Sequence, residues 1–356
     1  MMGGIHMQNA ERVVTALKGG KPDKVPFILN TVMINVQEQI VRHKIEEPTY
    51  NGLNNAGWLG SPAENAQVVP ALTVIPEAAK KIGLDAIQIQ VLPPMFVNWV
   101  VKDGDACVSQ GLIDGENALR QIQMPDPDDE KLLKSVDEMI KRYKGDFAMG
   151  ARIRLGVSPA LLSMGMENIA AFYADEDETL PRTIEMFTDW SRRMNKNLSE
   201  LDFDFFWAFD DVAFTSSLLI SPDMFRKFFK DNMKKAASTI SKPWIYHSDG
   251  NYQLLLDDIV DIGAYGIHPI EKGSMDTRWL KETYGEKLCM VGNVDINYIL
   301  KDAPLGEVDR EVKNCIDLLG PGGGYILSDS NSIPAWCSPE NVIEMGRAVE
   351  RYRYIY

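Results

Sequence analysis

Short apolar runs, bounded by Gly, Pro, Asp and Asn, alternate along this chain with stretches whose apolar positions recur every three or four residues. The runs have the length of strands buried on both faces, and the spaced stretches have the period of amphipathic helices. Eight runs stand out: "KVPFILNT" (24–31), "LDAIQIQ" (84–90), "DFAMGARIRLG" (146–156), "FDFFWAFDD" (203–211), "PWIYHSD" (243–249), "YGIHPI" (265–270), "KLCMVGNV" (287–294) and "GYILSDS" (324–330). Helical patterns fill the gaps. In "DDEKLLKSVDEMIKRYKGD" the residues Leu132, Leu133, Val136, Met139, Ile140 and Tyr143 form one stripe. Ser221-Pro222 and Ser338-Pro339 each read as an N-cap followed by proline at the first helical position. A first helix, "NAERVVTALKGG", ends at a Gly-Gly pair.

Eight strands with helical crossovers predict an α/β fold, a (β/α)8 TIM barrel with an N-terminal helical extension, over residues 1–356 as one domain. The stretch 91–130 carries more polar and turn residues than a crossover needs and predicts a hairpin and loop over the barrel mouth. The first crossover, 32–83, is long enough for a lid.

Composition narrows the classes of partner. The chain has 356 residues, 45% hydrophobic and 25% charged, and a net charge of −14. Such a surface disfavours nucleic acid and anionic membranes. The four cysteines, Cys107, Cys289, Cys315 and Cys337, contain no CxxC pair, which suits a reducing compartment. The start "MMGGIHMQNAERVV" lacks an apolar signal core, and no run approaches the roughly 18–20 apolar residues of a membrane span. The expected setting is the cytoplasm.

Candidate chemistry follows from the barrel. Reactive groups in such barrels sit at the carboxyl ends of the strands. There the fourth run ends in Asp210-Asp211 and the fifth in His247 and Asp249. The sixth ends in His268 with Glu271 beyond it, the seventh in Asn293 and the eighth in Asn331. His247 and Asp249, two apart, share a face of an extended strand. A histidine and a carboxylate on one face suit a divalent cation or an acid–base pair. Asp210 or Asp211, one of which must point inward, supplies a further oxygen, and Glu271 another. Such a nitrogen and oxygen set suits Zn²⁺, Mn²⁺ or Fe²⁺. Arg152 and Arg154 are placed to hold a carboxylate.

Plainer readings stand beside these. His247 and His268 could serve only as buried hydrogen-bonding side chains. Asp249-Gly250 is a good turn dipeptide, and Asp210-Asp211 could cap the next segment. "GPGGGY" (320–325) lacks the Lys and Ser/Thr of a phosphate loop and precedes a strand. The Met-rich "LLSMGMEN" (161–168) suits core or lid packing.

The segments "NAERVVTALKGGKPDKVPF", "ISPDMFRKFF", "MVGNVD" and "GGGYILSDSNSIPAWCSPENV" resemble the uroporphyrinogen decarboxylase superfamily through most of the chain. The resemblance implies the same barrel. True tetrapyrrole decarboxylases carry an arginine-rich "MRQAGR"-like segment after the first strand and an aspartate at the end of the second. Here those places read "NTVMINVQEQIV" and "IQIQVLPP", with Gln88 and Gln90, so a polyanionic substrate would find few cations. The superfamily also contains corrinoid-dependent methyltransferases. Those that methylate coenzyme M carry His-x-Cys and a later cysteine on zinc; here the places read His247-Ser248-Asp249 and Asn331. The HSDG form, with "FDDVAF" and "GIHPIE", looks like the partner enzymes that move a methyl group from a methoxylated, often methoxy-aromatic, donor to the Co(I) of a separate corrinoid protein.

The expectation is an O-demethylase methyltransferase with His247, Asp249, Asp210 and Asp211 in catalysis. Arg154, Gln90, Asn293, Asn331 and His268 are expected at the substrate, and His247, Asp249 and Glu271 on zinc. Relatives with this barrel commonly dimerise, which leaves a homodimer as one possible state. The alternatives are a decarboxylase of a small carboxylic acid, a lyase, and a non-catalytic small-molecule binder.

Overall fold

The computed structural model describes residues 7–46, 68–102 and 105–356. Seven parallel strands run in chain order: Ala86–Gln90, Ala148–Ile153, Phe205–Phe209, Trp244–His247, Gly266–His268, Cys289–Val294 and Tyr325–Asp329. Each coincides with one of the predicted runs. The remaining run, 24–31, closes the circle without forming a regular strand. Ile28 N–H donates to the Leu327 carbonyl at 3.1 Å and Leu327 N–H to the Pro26 carbonyl at 2.9 Å. On the other side, Asp85 N–H donates to the Phe27 carbonyl at 2.8 Å. Pro26 has no N–H to offer, and Asn30 N–H goes to a carboxylate oxygen of Asp329 at 3.0 Å, so the ladder on this stave is broken. The expected barrel is therefore present.

Inside and outside alternate along the strands, as the pleat demands. Phe205, Trp207 and Phe209 join the inner cluster with Ala86, Ala148, Ile245, Val291 and Ile326, whereas Phe206 and Ala208 join the outer one beneath the helices. The helix Asn9–Leu17 contributes Val13, Ala16 and Leu17 to the inner cluster. Ala86, Ala148 and Phe205 begin their strands, so this helix plugs the amino-terminal end of the barrel. An ion cluster locks it there: Arg12 binds Asp23 Oδ1 at 2.7 Å and Asp85 Oδ1 at 2.9 Å, and Arg353 also binds Asp85. The carboxyl-terminal end is left for chemistry.

The predicted caps form. Ser221 Oγ accepts from Met224 N–H and Ser338 Oγ from Asn341 N–H. The stripe of helix Glu130–Tyr143 buries Leu132, Val136 and Ile140 against the barrel. Within 91–130, strands Val97–Lys102 and Asp105–Gly111 pair antiparallel and helix Glu116–Gln121 follows. In the long first crossover a two-residue strand, Ala71–Leu72, pairs antiparallel with the end of Ala86–Gln90. The lid expected in this crossover falls largely on residues 47–67, which lie outside the described residues. No helix among the described residues is long and apolar enough to cross a membrane.

Candidate active site

The strand Trp244–His247 delivers His247 to the carboxyl end of the barrel, where its side chain is 4% exposed. The chain then turns through Ser248-Asp249-Gly250. Gly250 has φ +75°, and a Cβ there would lie 2.3 Å from the Phe214 backbone, so only glycine fits this turn. The turn brings Asp249 back over His247, with Oδ1 3.5 Å from Nε2. From the neighbouring strand, Asp211 places Oδ1 3.6 Å from the same nitrogen. Asp211 is anchored by its own N–H to Ser158 Oγ at 2.6 Å, and its Oδ1 accepts the Asp249 N–H at 3.0 Å. One ligand atom from each of Asp211, His247 and Asp249 lies within 4.8 Å of the others.

The ambiguity between the two adjacent aspartates is resolved by where they point. Asp211 faces the mouth. Asp210 turns into the wall, fully buried, and accepts the backbone N–H groups of Leu155 and of Ser158, the latter at 2.8 Å. Burial pushes its carboxyl up to about 6, against the pull of Arg154 and the two amides. Its place is that of a brace between two strand ends.

Behind His247 stands His268, with Nδ1 to Nδ1 at 2.6 Å. His268 is fully buried, and its Nε2 lies 3.1 Å from the Asp329 carbonyl oxygen. His268, expected at the substrate, has protein at both ring nitrogens and lies one layer below the mouth. Aromatic rings wall the pair. Phe209 lies 4.4 Å from His247 and Trp207 stands edge-on 4.7 Å from His268, centroid to centroid. Burial, then His268, Arg152 and Arg154, push the His247 pKa well below its ordinary value, so the ring is neutral at pH 7. Asp249 moves the other way: burial and the charge of Asp211 push it up to about 8.

The remaining expected residues divide. Asn331 reaches the cluster, its amide donating to Asp249 Oδ2 at 2.8 Å. Glu271 stays at the rim, accepting from Gly250 N–H and Ser274 Oγ, each at 3.2 Å. It is outside the three-residue cluster, although its charge adds to the rise at Asp249. Asn293 points away, its amide donating to the Ile270 carbonyl at 2.8 Å and to Thr277 Oγ1 at 3.2 Å. Gln90 is buried with Oε1 unpartnered, and Arg154 is buried on the Phe209 carbonyl with Nε unpartnered. Arg152 binds Thr31 Oγ1 and lies 3.7 Å over the Phe209 ring. The reading of the sequence missed Asp329 as the support of His268. The available signal was that two consecutive strands both end in histidine, and in-register parallel strands make such ends neighbours.

Beside Asp211 opens a mostly apolar hollow of about 260 Å³, lined by Val108–Gly111 of the hairpin and by Leu161, Leu162, Met166 and Leu219. A wider cleft of about 560 Å³ adjoins it through Leu219, between 216–222 and the residues Asn251, Gln253 and Leu254, and has no ionisable side chain in its lining. The described cysteines Cys289, Cys315 and Cys337 are buried elsewhere.

Fold and site together define a (β/α)8 barrel with an imidazole–carboxylate cluster where such barrels hold their chemistry. The family model described as uroporphyrinogen decarboxylase (URO-D) matches residues 95–352, and the chain belongs to that family. It is 30% identical over 119 residues to the methylcobamide:CoM methyltransferase MtaA of Methanosarcina barkeri, covering 32% of this chain and 34% of the relative. It is 25% identical over 200 residues to the methylated-thiol–coenzyme M methyltransferase of Methanosarcina mazei, covering 54% and 52%. The matches thus span about a third to a half of these relatives' lengths. A solved structure, a methyltransferase from Methanosarcina mazei, superposes over 98% of this chain and 99% of its own with a TM-score of 0.71 at 20% identity, a likeness of fold.

Proposed function

We propose that this protein is a methyltransferase that moves a methyl group from a methoxylated, aromatic-type donor to the Co(I) of a corrinoid carried by a separate protein. One observation carries the reading. His247 Nε2 faces Asp211 and Asp249 at the barrel mouth, and Asp249 Oδ1 is buried without a hydrogen-bond partner. A buried carboxylate oxygen facing an imidazole nitrogen is costly unless a cation or proton joins them. One nitrogen and two oxygens suit zinc as three protein ligands with a position left open.

A zinc ion held there supplies a Lewis acid for the ether oxygen, which keeps the bonding electron pair as its methyl group leaves. The chain's own residues do the rest. Asn331 holds Asp249 through Oδ2 and so aims Oδ1 inward. The Asp249 N–H fixes Asp211. The apolar hollow beside Asp211 takes a flat ring while its polar end meets the cluster. Gln90 Oε1 remains to accept from a substrate donor. The wider uncharged cleft suits the edge of a corrinoid presented over the strand ends. The relatives' names, one with methylcobamide and both with methyl transfer, support the class of reaction.

Those same names favour a second reading, transfer of the methyl group to a thiol such as coenzyme M. Against it, the cluster contains no cysteine.

The test is anaerobic mixing of the metal-loaded protein with a reduced corrinoid protein, following the Co(I) absorbance. Methoxybenzoates should convert Co(I) to the methylated form, and His247→Ala should abolish this while the circular dichroism stays native. Methylation of a thiol from methylcobamide, with no reaction from methoxylated donors, would establish the second reading. Release of carbon dioxide from a small acid without corrinoid would replace both with the lyase.

A further inference from the structure

We infer that His268, backed by the Asp329 carbonyl, is a positioning residue that holds His247 as the Nδ1–H tautomer and turns the Nε2 lone pair toward Asp211 and Asp249. The contact between the two Nδ1 atoms, at 2.6 Å, accommodates one proton. A carbonyl oxygen only accepts, so the 3.1 Å contact to Asp329 requires a proton on His268 Nε2. A neutral His268 then has a bare Nδ1, which must accept from His247 Nδ1–H. That leaves His247 Nε2 without a proton.

The mouth agrees with this assignment. Asp249 Oδ1, 3.5 Å from Nε2, makes no hydrogen bond, so no contact at the mouth requires a proton on Nε2. The opposite arrangement needs His268 as an imidazolium, fully buried between Trp207 and the end of a second imidazole, with the Asp329 carboxylate 3.7 Å from its Nε2 and beyond hydrogen-bond reach. Asp329 itself is held in place: its Oδ1 accepts from Asn30 N–H at 3.0 Å and Ser328 Oγ at 2.8 Å. The carbonyl that orients His268 is therefore part of the barrel wall. A metal-ligating histidine whose second nitrogen donates to a fixed acceptor is both oriented and more basic. Here a second histidine takes the acceptor's place. The significance for metal binding rests on the cation site proposed above; the tautomer does not.

Two measurements separate the claims. ¹⁵N NMR of the metal-free full chain, labelled at its four histidines, should show His247 with a protonated Nδ1 and a bare Nε2. A protonated Nε2 overturns the inference. Zinc affinity should fall about 10- to 100-fold in His268→Phe, which keeps the packing and removes the acceptor. His268→Asn, whose side-chain oxygen can accept from His247 Nδ1–H, should restore most of it. Equal zinc affinity in wild type and His268→Phe would sink the positioning role while the cation site stood. The expected tautomer with no zinc bound would do the reverse.

Discussion

The side-chain amide of Asn331 donates to Asp249 Oδ2 at 2.8 Å, joining residues 82 positions apart in the chain. The contact spends one oxygen of Asp249 and leaves the other facing His247. Asn331→Ala should lower zinc affinity about 10- to 100-fold with little change in folding. Asn331→Asp loses the same donated hydrogen bond but adds a carboxylate that attracts the cation, so its affinity should fall less than that of Asn331→Ala. Isothermal titration of the metal-free variants decides this, and unchanged affinity in both would remove Asn331 from the site.

Asp210 and Asp211, adjacent in sequence, should respond oppositely to the same change. Asp211→Asn should weaken metal binding and leave the urea midpoint near wild type. Asp210→Asn should cost about 1–3 kcal/mol of stability, since an amide cannot accept from both the Leu155 and Ser158 N–H groups as a carboxylate does. Denaturation and metal analysis on the two variants should give this crossed pattern.

Gly250→Ala tests the turn that folds Asp249 over His247. A side chain at φ +75° is strained, and its Cβ would meet Phe214 backbone atoms at 2.3 Å. The expected loss is about 1–3 kcal/mol, with weaker zinc binding because Asp249 is displaced. A variant with native stability and native zinc affinity would show that the turn tolerates a different path.

Acid should weaken the plug at the opposite end of the barrel. Burial alone would raise the Asp23 carboxyl, but the hydrogen bond and charge of Arg12 outweigh it and hold it below its ordinary value. The folded state thus binds this proton more weakly than the unfolded chain. The contribution is complete above the unfolded pKa of about 3.9 and is lost as the pH falls through the lower folded value. Asp23→Asn should be less stable than wild type at pH 6, and the gap should narrow toward pH 3. Urea midpoints across that range provide the check; a gap that widens would reverse the sign.

Zinc should stabilise the protein through mass action. At free zinc about 100-fold above Kd, the expected gain is about 2.7 kcal/mol, seen as a raised Tm that a chelator reverses. The same addition to His247→Ala should leave its Tm in place.

Much of the barrel is legible in the sequence because strands buried on both faces must be apolar along their length, and turns must break them. That is why eight apolar runs match seven strands and a closing stave. The runs do not show that the first stave would be irregular, since that depends on Pro26 and on Asp329 capturing Asn30 N–H. The short strand Ala71–Leu72 has no sequence signal of its own; it exists because the end of Ala86–Gln90 offers it an edge. At the site, the rule of strand ends leads to His247, Asp249 and the aspartate pair. It cannot tell Asp210 from Asp211, because both alternating sets, Phe205-Trp207-Phe209 and Phe206-Ala208, are apolar and the sequence does not say which one faces inward.

The sequence by itself determined the alternation of strand and helix, the caps at Ser221 and Ser338, and the concentration of ionisable groups where the later strands end. These are local properties, written in spacing and side-chain chemistry. Only the tertiary structure decided that His247 rests on His268, that Asn331 reaches Asp249, and that Asp210 braces the wall while Asp211 faces the mouth. Each of these depends on the register between strands and on the angle of a turn. Those are set by barrel closure and packing, which involve residues far from the site in the chain.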